Sequence, residues 1–99
     1  MEIQFTDLAK LQLKEITEYY KAVASNKVSK KIRKSLISRI KLLQNFSKIG
    51  PVEHFLENLT HEYRYLVEGN YKIIYTIEND VIYIVAIFDT RQDPQKMKV

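Results

Sequence analysis

The sequence has no cysteine. That excludes a disulfide framework, a thiolate nucleophile and any metal site built on cysteine, and it fits a chain that works in a reducing compartment. Glycine and proline occur only twice each, which excludes collagen-like and low-complexity organisation. No apolar run approaches the roughly 20 residues of a membrane helix. The N-terminus shows no basic stretch leading into an apolar one, so a cytoplasmic location without a membrane partner is expected. His54 and His61 are the only histidines. They lack the short helical spacing of a metal pair, and neither a metal nor another cofactor is expected. Acidic residues are missing from one long stretch: between Tyr19 and Val52 there are nine Lys or Arg and no Asp or Glu.

What is present is ordinary for a packed domain. Of 99 residues, 45% are hydrophobic and 28% charged, which supports one core and one domain over residues 1–99. The net charge of +4 conceals a division, because the remainder of the chain carries seven basic and twelve acidic residues. A basic segment beside an acidic remainder suits an anionic partner, nucleic acid or an acidic protein segment; a solvated helix face accounts for it equally.

Periodicity divides the chain. "MEIQFT" alternates apolar and polar residues as a half-buried strand does. Thr6 or Asp7 supplies a helix cap, and Leu8, Leu11, Ile16, Tyr20 and Val23 recur near helical spacing, predicting a helix over about Asp7–Ala24. After the break at "SNK", capped by Ser25 or Asn26, the next set is Val28, Ile32, Leu36, Ile40, Leu43 and Phe46. This second helix should fold back on the first and end at "IGP", with Gly50 in the left-handed conformation and Pro51 blocking continuation. Residues 52–62 are left as a connection, in which Val52, Phe55 and Leu59 suit either a helical turn or a loop. Strands rich in Tyr, Ile and Val then span 63–67, 71–78 and 81–88, with turns at "EGN" and "END" that force antiparallel pairing. Asp93 and Pro94 suit the cap and first residue of a short helical turn. The expected fold is α+β: an N-terminal strand and an antiparallel helical hairpin packed on one face of a small, mostly antiparallel sheet whose other face is open.

The hairpin register decides what that open face carries. A three-residue loop at Glu68, Gly69 and Asn70 sets Val67 opposite Tyr71 and Arg64 opposite Ile74, so that Arg64 and Lys72 share a face. A two-residue loop sends them to opposite faces. The first is expected, because it gathers Tyr65, Val67, Tyr71, Ile73, Tyr75 and Ile77 beneath the helices. Arg91 would reach the rim of the open face. Cations so placed suit a phosphate or an acidic peptide, or merely keep the surface soluble.

The stretch "YRYLVEGNYKIIYTIENDVIYIVAIFDTRQDP" resembles the C-terminal half of the RelE/ParE superfamily of bacterial type II toxins. Arg64, Gly69, "YKIIY" with Lys72 in the usual Arg place, "END", "VIYIVAIF" and Arg91 follow in the family's order, and the preceding strand and helices have compatible lengths. The resemblance implies a growth-inhibiting toxin of the kind tied to plasmid stabilisation, neutralised by a cognate antitoxin that wraps over it, with a higher-order complex as a further expectation. ParE-like members inhibit DNA gyrase; RelE-like members cleave mRNA on the ribosome as metal-independent endoribonucleases. For a nuclease, the resemblance places Arg64, Lys72 and Arg91 on the phosphate, with Glu53 at the position of a general base in some YoeB-like members. The tail "QDPQKMKV" has neither the Tyr nor the His that many of those nucleases carry there, which favours the ParE-like expectation. A non-toxic binding module is the remaining alternative.

Overall fold

The computed structural model describes residues 1–99. β1 (Glu2–Phe5) leads into α1 (Asp7–Val23) and α2 (Asn26–Lys41), and β2 (Arg64–Glu68), β3 (Tyr71–Glu78) and β4 (Val81–Asp89) follow. Both helix starts use hydroxyl caps. Thr6 Oγ1 accepts from the Ala9 N–H and Ser25 Oγ from the Val28 N–H, each satisfying a backbone donor that a helix leaves orphaned in its first turn. α1 buries Ala9, Leu13 and Ile16, whereas Leu11 and Val23, which also fit the periodicity, are exposed.

α2 stops sooner than expected. It tightens into a 3₁₀ turn at Leu42–Gln44 and ends before Asn45, a weak helix former. Leu43 is its last buried residue, and Phe46 lies exposed. Nor does Gly50 take a left-handed backbone; Gly69 is the only glycine with positive φ. Gly50 is required for a different reason. A Cβ there would collide with the Tyr65 carbonyl oxygen and stand 2.9 Å from the Tyr75 hydroxyl.

The sheet order is β1-β4-β3-β2, with β1 parallel to β4 and the other pairs antiparallel. α1 lies over β4 and α2 over β2. β1 pairs with β4 only as far as Ile84, so the outer edge of β4 beyond that point is served by side chains. Thr6 Oγ1 donates to the Ile84 and Val85 carbonyls, and Gln12 Oε1 accepts from the Ile87 N–H at 2.7 Å. Val85 is the extra residue of a β-bulge between Ile74 and Tyr75. The bulge lets Ile84 and Ile87 both face the helices while Val85 and Ala86 both face away.

The β2–β3 register overturns the three-residue loop. Glu68 pairs with Tyr71, Val67 with Lys72 and Arg64 with Tyr75, leaving the two-residue loop Gly69-Asn70. Gly69 takes φ 58° at the first central position, as in a type II′ hairpin. Leu66 therefore joins Tyr71, Ile73, Tyr75 and Ile77 on the helix side, while Tyr65 turns to the other face and Val67 is exposed.

The far face is not open either. The chain leaves α2, passes the sheet edge at Gly50, makes a bridge between Val52 and Arg64, and runs through a 3₁₀ turn at His54–Leu56 on that face. Leu56, Tyr63 and Met97 of the tail cover Ile74, Val85, Ala86 and Phe88. Ile74 of β3 with Val85 and Phe88 of β4 thus form an apolar patch that irregular segments cover as a lid, since leaving it in water would be costly.

Candidate functional site

Arg64 stands on the edge strand, on the helix side of the sheet. Its Nη1 donates to the Gly50 carbonyl at 2.8 Å and to that of Lys48 at 3.4 Å, and its Nε donates to Glu62 Oε1 at 3.1 Å. The guanidinium therefore clasps the loop that follows α2. It also lines an open cleft of about 240 Å³ together with Lys48, His61, Glu62, Thr76 and Ile77.

Lys72 points to the opposite face. Its Nζ meets Glu53 Oε2 at 2.8 Å and lies 4.3 Å from the centroid of the Tyr65 ring and 5.7 Å from that of Phe55. Glu53 is only 2% exposed, and its other carboxylate oxygen accepts from the Phe55 N–H, capping the 3₁₀ turn. Position and pairing follow from the two-residue loop: once Lys72 turns away from the helices, it meets the buried Glu53 of the segment crossing that face, and each charge offsets the cost of withdrawing the other from water. Glu53 and Lys72 thus meet, as a mutually neutralised pair.

Arg91 lies at the far end of β4. Its Nε and Nη2 donate to the two carboxylate oxygens of Asp89 at 2.9 and 2.8 Å, a bidentate pair. These bonds hold the Asp89 carboxyl below the usual carboxylate range and raise Arg91 above its ordinary value. Beside them, the Tyr71 hydroxyl donates to that of Tyr20 at 3.3 Å. Burial, then the bond to Tyr20, pushes the Tyr71 phenol well up. Tyr75 is fully buried and its hydroxyl accepts from the Gly50 N–H; burial raises this phenol too, against the lowering effect of Gly50 and Arg64.

The four residues expected in a site are consequently found in three places. Only Lys72 and Glu53 touch. Arg64 and Lys72 are on opposite faces, and Arg91 is engaged with Asp89. Of the histidines, exposed His54 sits 3.3 Å from Glu57 Oε2, and His61 meets the Tyr63 ring edge-on. No group of three His, Cys, Asp or Glu side chains is arranged to hold a metal ion, and no helix is long and apolar enough to cross a membrane. The sequence reading missed the aromatic walls that Phe55 and Tyr65 put around Lys72. The positions of Phe55 and Tyr65 in the sequence give no signal for it, since the Phe55 contact depends on which way a loop crosses the sheet.

The ParE toxin family model, described as the ParE toxin of the type II toxin-antitoxin system parDE, matches residues 3–94. No curated protein matches the chain at a significant level. Among solved structures, a chain of the chromosomal ParDE toxin-antitoxin system from P. aeruginosa superposes with a TM-score of 0.72 at 18% sequence identity, covering 88% of this chain and 92% of that one. At that identity the likeness bears on the fold alone. It agrees with the strand, helical hairpin and meander that the resemblance implied, and the family model runs through all of them. The chain belongs to the ParE toxin family of type II toxin-antitoxin systems, within the RelE/ParE superfamily.

Proposed function

We propose that this toxin arrests growth by acting on DNA gyrase in the cytoplasm, and that a cognate antitoxin neutralises it. Family membership supports the antitoxin. The observation that carries the choice of target is the separation of Arg64, Lys72 and Arg91. A metal-independent nuclease that used them with Glu53 would need three cations converging on one phosphate and a proton carrier within hydrogen-bond reach. Here Lys72 is neutralised by Glu53, Arg91 by Asp89, and Arg64 points the other way. Gyrase inhibition makes no such demand.

A second reading rests on the cleft beside Arg64, where Lys48 supplies another cation and His61 an imidazole. Inducing the toxin alone, with mRNA integrity and plasmid supercoiling followed in parallel, separates the two. Arrest with intact mRNA and lost supercoiling is expected. Cleaved mRNA with normal supercoiling, abolished by His61→Ala, would replace gyrase with the nuclease. No arrest at all would leave a binding module.

A further inference from the structure

We propose that the outer face of α2 is a binding surface for the phosphate backbone of duplex DNA, sequence-independent and separate from the contact with the protein target. Of the nine cations between Tyr19 and Val52, Arg39 alone has a carboxylate within 4 Å, Glu68. Lys27, Lys30, Lys31, Lys34 and Lys41 are all exposed. At 3.6 residues per turn they fall in a stripe roughly 100° wide, centred opposite the buried Ser29, Leu36 and Ile40. The stripe runs about 21 Å along a straight helix, given a rise of about 1.5 Å per residue.

The chemistry of the stripe selects the partner. Protein interfaces are built around apolar and aromatic anchors and are depleted in lysine. Between Lys27 and Lys41 this face offers only lysines and Ser38. Lysine is a flexible point charge, suited to phosphates whose positions vary with sequence and poorly suited to bidentate carboxylate recognition. A row of such charges carried along one helix matches a regular duplex, which presents about one negative charge per 1.7 Å of its axis, better than it matches a flexible single strand.

The test is fluorescence anisotropy of a labelled mixed-sequence DNA duplex with the full-length toxin, without gyrase, so that its outcome is independent of the target proposed above. Five lysines on phosphates predict a slope of log K against log salt near −4.5, and a threefold rise in salt should weaken binding on the order of 100-fold. Lys27→Ala/Lys31→Ala/Lys34→Ala should reduce that slope to about −2 and weaken binding roughly tenfold or more at low salt. The charge-matched control Lys10→Ala/Lys96→Ala/Lys98→Ala should leave the slope in place, with circular dichroism establishing that both variants are folded. Equal loss in the control would make the effect one of net charge and overturn the surface. No duplex binding by the native toxin would overturn it outright. Poly-glutamate or single-stranded RNA binding as tightly as the duplex, with the same sensitivity to the triple variant, would overturn the choice of partner.

Discussion

Lys72 holds its ammonium 2.8 Å from a carboxylate that water barely reaches. Removing one member of such a pair leaves an uncompensated charge, whereas replacing both with groups of similar volume is close to neutral. Lys72→Ala should therefore cost about 3 kcal/mol, the low end of the usual range because Lys72 keeps some contact with solvent. Glu53→Gln/Lys72→Met, in which Gln retains the acceptor for the Phe55 N–H, should recover most of that loss in urea denaturation. If the double variant is as unstable as Lys72→Ala, the pair is not what holds residues 52–57 to the sheet. Tyr75 gives a second test at this scale. Its phenol is raised by burial, so the folded state favours the neutral form. That contribution is fully present below the unfolded value near pH 10 and is lost as pH climbs through the higher folded value. Tyr71, raised for the same reason, should behave alike. In an alkaline titration followed by phenolate absorbance, two of the seven tyrosines should ionise last and together with unfolding. Ionisation of all seven in a single step while the fold persists would contradict this.

Element types were legible because their signals are local. Hydroxyl caps and helical spacing located α1 and the start of α2, and aromatic and β-branched runs between turn residues located β3 and β4. The hairpin register was not legible. "YLV" and "IIY" carry apolar residues at successive positions, so either phase yields an apolar face and alternation cannot choose between a two- and a three-residue loop. Every statement about which cations meet hung on that one-residue difference. The lid on the far face was hidden for a related reason: residues 51–63 bury Leu56 and Tyr63 without any regular period. The turns themselves are sharper than their sequences suggested. Asn79 and Asp80 both have positive φ, 52° and 62°, the requirement of a type I′ turn. Asn tolerates this conformation, and Asp bears a steric cost that Gly would not. Asp80→Gly should raise stability by about 0.5–1 kcal/mol, while Gly69→Ala, at φ 58° with open space around it, should lower it by about 1 kcal/mol. Thermal unfolding of the two variants checks the opposite signs; a destabilised Asp80→Gly would mean that the aspartate side chain matters more than its backbone.

Two clusters of unequal construction share one sheet. On the helix side, α1 and α2 press Leu13, Ile16, Leu36 and Ile40 onto Ile73, Tyr75, Ile82 and Ile84, so that two regular elements must detach together before the sheet is exposed. On the far side, Leu56, Tyr63 and Met97 are carried by the 3₁₀ turns at His54–Leu56 and Pro94–Lys96 and by irregular chain, with few backbone bonds of their own and no helix to propagate a local loss. Their opening should be cheaper, because regions with little regular structure open at free energies below that of global unfolding. Native-state hydrogen exchange should therefore place the amides of Leu56, Leu59 and Met97 in a low-energy opening unit, and those of Ile73, Ile74 and Ile84 at the global limit. The Glu53–Lys72 pair lies at the boundary between these units and ties the first to the second. Lys72→Ala should consequently lower the opening energy of residues 53–59 by more than it lowers that of β4. Equal protection of both sides in the native protein would mean that the irregular lid folds and unfolds as one body with the helices.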